Sequence, residues 1–249
     1  MNFFVRKIRG LARRLISVAD KMEFKYYNPL PVDCFETIKS FLTFYKPKYL
    51  CDIGANTGAW TYVMKQLNSE LTHVALFEPQ AKLYNTLNSL ELPGVRKIVY
   101  NCGLGNNEEK LLIKGGTPSA SCLDASCIQT SYFPGSLLDE KEEIVIEILD
   151  KIYERDKLPF PDLIKLDVQG FELNVLKGAR NVLLKTKYLI VELSFQKFYI
   201  GQPPLHELLE FLEEHNYIMI GHGFELKSLS GELLQIDGIF FNKSLDENI

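Results

Sequence analysis

Residues 49–60 read YLCDIGANTGAW, a short apolar run ending in Asp52, then a turn carrying Gly54 and Gly58, then the start of a helix. Glycines at such a turn let the backbone approach a ligand closely, and the helix start offers free N–H groups. Asn56 stands where a third glycine would serve, and Asn tolerates left-handed backbone better than most residues. Dinucleotide-binding folds use similar turns, so the stretch fixes a strand–turn–helix and leaves the ligand open.

Outward from this stretch, short apolar runs alternate with longer helical patterns. Tyr49–Ile53 reads as a strand and Ala59–Leu67 as its helix. His73–Phe77 is a second strand with a helix over Ala81–Leu90, and Arg96–Asn101 is a third. Leu163–Val168 and Tyr188–Leu193 follow, separated by a helix over Phe171–Leu184, and then comes a helix over Leu205–His215. This is the pattern of a parallel sheet wrapped by helices. The last two runs, Tyr217–Ile220 and Gly238–Phe241, flank a Gly/Ser-rich turn region with no helix between them, which predicts an antiparallel hairpin. Residues 104–160 interrupt the alternation. Glu109–Lys114 and Ile144–Ile148 read as extra strands, and the small, polar segment between them reads as an active-site loop or a floppy insert.

Two carboxylates close the ends of adjacent strands: Asp52, and Glu78 in LFEP. Asp52 would crowd a pyrophosphate but suits an amino-acid ammonium, directly or through water. Glu78 suits the two hydroxyls of a ribose, a role that also fits NAD. With the late hairpin, these features favour S-adenosylmethionine over NAD. The bland alternative is that Asp52 caps a helix and Glu78 is a solvated strand end.

A second stretch, DLIKLDVQGFELNVLKGA at 162–179, places Lys165, Asp167 and Gln169 on one face of a strand. Charges in an apolar run are costly unless paired or at a ligand site. Asp167 is therefore expected as a base or acceptor-orienting group, with Lys165 one repeat deeper and Glu192, in LIVELSF, as the second candidate. A buried Lys–Asp pair without a catalytic role is the competing reading, and an ordinary strand terminus is the one for Glu192. Glu172 is assigned to favouring the helix start. His206 and His222 read as surface or packing residues. No compact carboxylate cluster calls for a metal.

Taken together, DIGANTG at Asp52–Gly58, FEP at Phe77–Pro79, NCGLG at Asn101–Gly105, IKLDVQGFELNVLKGA at Ile164–Ala179 and VELS at Val191–Ser194 resemble the FkbM family of methyltransferases. The resemblance runs from about Cys51 to Phe241. It implies an α/β fold, a seven-stranded, mostly parallel Rossmann-like methyltransferase sheet with a C-terminal antiparallel hairpin. It also implies S-adenosyl-L-methionine as cofactor and O-methylation of sugars, glycolipids or similar small molecules. It puts the cofactor against Asp52, Gly54, Asn56, Gly58, Glu78 and Asn101, with Ala55, Pro79 and Cys102 from the same motifs. Many members have Glu where this chain has Gln169, so position 169 is not read as a general base. A catalytically silent ligand-binding fold and a protein or RNA methyltransferase are the alternatives.

The chain has 249 residues, 46% hydrophobic and 24% charged, with a net charge of −4. That suits one α/β domain over residues 46–249 and disfavours nucleic acid as the main partner. Five cysteines (Cys34, Cys51, Cys102, Cys122, Cys127) without a CxxC pair read as reduced thiols of a cytoplasmic protein. Residues 1–45 read as an N-terminal helical extension. Phe4, Ile8, Leu11, Leu15 and Val18 share a face, with Arg6, Arg9, Arg13 and Arg14 off it. That segment is expected either to pack on the domain or to lie at the periphery of an acidic membrane.

Overall fold

In the computed structural model, which describes residues 32–115, 120–133 and 140–245, the quoted stretch forms strand β1 (Tyr49–Ile53), a left-handed turn and helix α2 (Ala59–Leu67). Before them lies α1 (Val32–Tyr45); the first 31 residues, with the amphipathic segment, fall outside the described part. The chain continues through β2 (His73–Phe77), α3 (Ala81–Ser89), β3 (Arg96–Tyr100), β4 (Gly103–Leu104), β5 (Glu109–Lys114), β6 (Asp124–Ala125) and α4 (Cys127–Tyr132). Next come β7 (Lys141–Glu147), α5 (Leu149–Asp156), β8 (Leu163–Leu166), α6 (Glu172–Lys177), α7 (Arg180–Leu183) and β9 (Tyr188–Ser194). The C-terminal part is β10 (Tyr199–Ile200), α8 (Leu205–Glu214), β11 (Tyr217–Lys227) and β12 (Leu233–Asn242).

Seven strands form the main sheet in the order β11-β12-β9-β8-β1-β2-β3. β12 runs antiparallel to both its neighbours, and the pairs from β9 to β3 are parallel. The expected late hairpin is therefore present, and its strands are longer than the two apolar runs suggested. Because side chains alternate along each strand, the sheet buries both faces. Leu50, Leu76 and Ile190 pack with Ile38 and Leu42 of α1 and Met64 of α2. Cys51, Ile53, Ile164 and Val191 pack on the other side with α5, α6 and α8. At about 1.5–3 kcal/mol for each fully buried large aliphatic, these two layers dominate the stability.

The insert between β3 and β8 builds a three-stranded sheet of order β4-β7-β5 and a short ladder between β6 and β10. Two of the three strands, β5 and β7, correspond to the extra strands expected at 109–114 and 144–148; β7 begins earlier, at Lys141, and ends at Glu147.

The helix expected over 171–184 is broken. Gly178 lies so close to Gly105 that a Cβ would sit 2.0 Å from the Gly105 carbonyl oxygen. Asp150 then caps a new start, accepting from the N–H groups of Asn181 and Val182 at 2.9 Å each. A close tertiary approach thus overrides a continuous helical periodicity.

Candidate active site

The carboxyl ends of β1, β2, β8 and β9 open onto a cavity of about 370 Å3, as expected for ligand sites in open α/β sheets. Its walls include Gly54, Ala55, Asn56, Glu78, Pro79 and Cys102 from the first half of the chain. Lys165, Asp167 and Glu192 line it from the second half. Three expected residues stand back from it. Asp52 is fully buried one layer behind the wall. Gly58 packs under Leu87 and Leu90. Asn101 braces the loop after β2 by donating to the carbonyls of Glu78 and Pro79 at 3.0 and 2.9 Å.

The turn after β1 is shaped by contact as much as by flexibility. Gly54 has φ +79°, and a Cβ there would sit 1.9 Å from the carbonyl oxygen of Asp167. Any side chain would force apart the ends of β1 and β8, which carry the two halves of the site. Asn56 adopts φ +49°, the left-handed geometry its residue type tolerates.

Two buried carboxylates face this turn. Glu78 accepts from the N–H of Asn56 through Oε2 and from that of Gln80 through Oε1, both at 2.9 Å. Burial pushes its pKa up, against the pull of those N–H groups. Asp52 accepts from the Thr61 hydroxyl through Oδ2, while its Oδ1 is buried without a partner. Burial raises its pKa too, opposed by the Lys165 charge and the Thr61 bond. An orphaned buried carboxylate oxygen is costly unless a ligand or water completes it.

β8 ends two residues sooner than expected, yet Asp167 stays in line because its N–H donates to the Ile53 carbonyl at 3.1 Å. Lys165 donates to Asp167 Oδ2 at 2.8 Å, and Gln169 donates to Asp167 Oδ1 at 2.8 Å. Burial would raise the Asp167 pKa, but Lys165 and these two bonds hold it below its ordinary value. Burial works against the Lys165 charge as well, yet Asp167, Asp52 and Asp237 keep its pKa above the ordinary range. The ammonium also lies 6.0 Å from the centre of the Trp60 ring.

Glu192 is in the opposite condition. Burial, then the charges of Asp167, Glu172 and Asp237, push its pKa well above the carboxylate range. Glu172 takes the N–H groups of Gly170 and Val168 on one oxygen, at 3.1 and 3.2 Å, and thereby fixes the turn preceding α6. Burial carries its pKa to about 7.

The sequence reading missed Asp237, which lies opposite Glu192 in the β9–β12 register and lines the cavity. Burial pushes its pKa up to about 6, against Lys165. The signal was present: a carboxylate inside the apolar run LLQIDGIFF is as costly as Lys165 in its own strand. Gln129 and Phe133 of the insert also line the cavity, and nothing local marks them. His206 and His222 are exposed and take no part in the cavity wall.

A seven-stranded sheet of this order, with a glycine turn after β1 and a carboxylate after β2, defines the class of Rossmann-like methyltransferases. Within it the chain belongs to the FkbM family: the family profile described as "Methyltransferase FkbM domain" matches residues 52–219. The chain is 29% identical over 152 residues to the hexuronic acid methyltransferase AglP of Haloferax volcanii, covering 58% of this chain and 55% of that protein. It is 28% identical over 144 residues to Methyltransferase 1 of Beauveria bassiana, covering 52% and 57% respectively. Over 51 residues it is 45% identical to the 2-O-methyltransferase NoeI of Sinorhizobium fredii, covering 20% and 21%. The chain thus spans between about a fifth and a little over half the length of these curated relatives. A crystal structure of the methyltransferase FkbM from Methylobacillus flagellatus KT superposes with a TM-score of 0.48 at 18% identity, covering 79% of this chain and 44% of that one.

The cofactor of the family is S-adenosylmethionine, and the residues present fit it. Asp52 keeps an unsatisfied buried oxygen, each Glu78 oxygen retains a lone pair beyond its N–H bond, and the left-handed turn through Gly54 and Asn56 lines the cavity beside Glu78.

Proposed function

We propose that this chain transfers the methyl group of S-adenosylmethionine to a hydroxyl of a sugar, glycolipid or other small-molecule acceptor. The observation that carries the reading is the convergence on one cavity of the Gly54–Asn56 turn, Glu78 and the Lys165–Asp167 pair. The name of one relative, a hexuronic acid methyltransferase, supports a sugar-like acceptor, and that of another, a 2-O-methyltransferase, supports oxygen as the atom methylated.

Glu78 would hold the ribose hydroxyls, the 54–56 turn would pass beside the nucleoside, and Asp52 would take the amino-acid ammonium through water. When bound, the cofactor supplies a methyl already activated on a sulfonium. What remains for the protein is to align the acceptor and remove its proton. Alignment is worth roughly 7–11 kcal/mol in favourable cases, against about 10²–10⁴-fold for a general base, so positioning dominates.

The two catalytic carboxylates divide these tasks. Asp167, held ionised by Lys165 and Gln169, is weakly basic and suited to accept a hydrogen bond that fixes the acceptor hydroxyl. Glu192 is the more basic of the two and suited to take the proton. Lys165 sets the charge and rotamer of Asp167.

Calorimetric titration with S-adenosylhomocysteine, beside NAD and a Glu78→Ala variant, tests the cofactor half. Binding that the variant weakens and that NAD does not reproduce supports the proposal. A folded protein that binds neither sinks it.

A further inference from the structure

We infer that the acceptor hydroxyl belongs to an uncharged polyol ring, and that uronates and sugar phosphates are rejected. The inference rests on the methyl-transfer reading above and follows from the charge of the acceptor side of the cavity. Asp167, Glu192 and Asp237 approach one another there, the last two directly opposite across the β9–β12 pair. Lys165 is the one cation among the described lining residues, and it is committed to Asp167 at 2.8 Å with 7% of its side chain exposed.

An anionic substituent entering this space would approach Asp167, Glu192 and Asp237, with no uncommitted cation among the described lining residues to receive it. To reach Lys165 it would have to displace Asp167, leaving a buried carboxylate without its counter-charge. Protonation of Glu192 or Asp237 softens the repulsion and supplies no positive charge.

A neutral ring meets the opposite situation. Carboxylates and amides accept from and donate to ring hydroxyls, and Gln129 and Gln235 add amide groups to the wall. Phe133, Phe171 and Phe224 offer apolar surface for the C–H face of such a ring.

The test uses the full chain with S-adenosylmethionine and reads release of S-adenosylhomocysteine. The probes are methyl pyranosides of gluco, galacto, manno and 6-deoxy configuration, each non-deoxy sugar beside its uronate and its 6-phosphate. The expected result is turnover of a neutral pyranoside, with kcat/KM for the matched anionic sugars lower by at least about tenfold. Asp237→Asn narrows that gap by about threefold or more, because it removes one of the repelling charges. A uronate or phosphate accepted as well as its neutral counterpart overturns the inference and leaves methyl transfer standing. So does turnover of no pyranoside by protein that binds S-adenosylhomocysteine. Failure to bind S-adenosylhomocysteine overturns the methyl-transfer reading and this inference with it.

Discussion

The hydroxyl of Tyr199 donates to Oε1 of Gln169 at 2.7 Å, and the nitrogen of the same amide donates to Asp167 at 2.8 Å. Tyr199 sits on β10, which pairs with β6 of the insert, and Ser121 of the insert donates to the Gln169 carbonyl at 2.6 Å. Gln169 therefore ties the insert to Asp167, the carboxylate proposed to orient the acceptor, through both its side chain and its backbone. Its φ of +54° places both where they are needed.

This link predicts a selective defect. Tyr199→Phe removes the hydroxyl while keeping the ring against Gly170. At about 0.5–1.5 kcal/mol for one hydrogen bond, kcat falls roughly two- to tenfold. Affinity for S-adenosylhomocysteine stays unchanged, because Glu78 and the 54–56 turn are untouched. Steady-state kinetics with calorimetry checks the split; a parallel loss of cofactor affinity would show that Tyr199 supports the whole cavity instead.

Gly54 and Gly201 provide a matched pair. Both have positive φ, +79° and +85°, but only Gly54 has a neighbour where a Cβ would go. Gly201→Ala suffers the backbone penalty alone, about 1 kcal/mol, and lowers the melting temperature slightly. Gly54→Ala adds the collision with Asp167, so its melting temperature drops further and S-adenosylhomocysteine binding is lost. Equal melting temperatures for the two variants would contradict the close approach of β1 and β8.

The sequence revealed these features unevenly, for physical reasons. β1, α2, β2 and β5 have the bounds expected of them, because each is a clean apolar or periodic run closed by turn residues. Lys165, Asp167 and Glu192 were legible because charges in or at the end of buried strands are conspicuous. Asp237 carries the same signal but lies just before the apolar run at 238–241, in the part of β12 that the run alone does not mark. Tyr199 and Gln129 could not be found locally, since the β6–β10 ladder joins segments more than seventy residues apart within irregular chain. The break at Gly178 depends on Gly105, again a contact that no window of sequence contains.

That break has its own test. Asp150→Ala removes the acceptor for two N–H groups at the start of α7. Loss of such a cap costs about 0.5–2 kcal/mol, which for a domain of this size lowers the melting temperature by a few degrees, roughly 2–4 °C per kcal/mol. Catalysis per folded molecule should not change, as Asp150 is outside the cavity wall. A thermal melt beside a turnover assay reads both.

Glu192 should reveal a conflict between function and stability. Its pKa in the folded protein is raised, so the fold binds this proton more tightly than the unfolded chain does. Stability from this group is fully present below the unfolded glutamate value, near pH 4, and is lost as pH rises toward the folded value. Asp237, pushed up to about 6, acts in the same direction over a lower window. Glu192→Gln removes the penalty of ionisation, so the variant melts at a higher temperature than the parent at pH 8, with the difference shrinking toward pH 4. On the proposed mechanism the same substitution removes the proton acceptor and lowers kcat by about 10²–10⁴-fold. In the parent, activity rises with pH as Glu192 ionises; in the variant, the residual activity lacks that rise. Melting curves from pH 4 to 9, beside pH–rate profiles, decide it. A variant that melts lower at every pH would assign Glu192 to holding the strands together rather than to proton transfer.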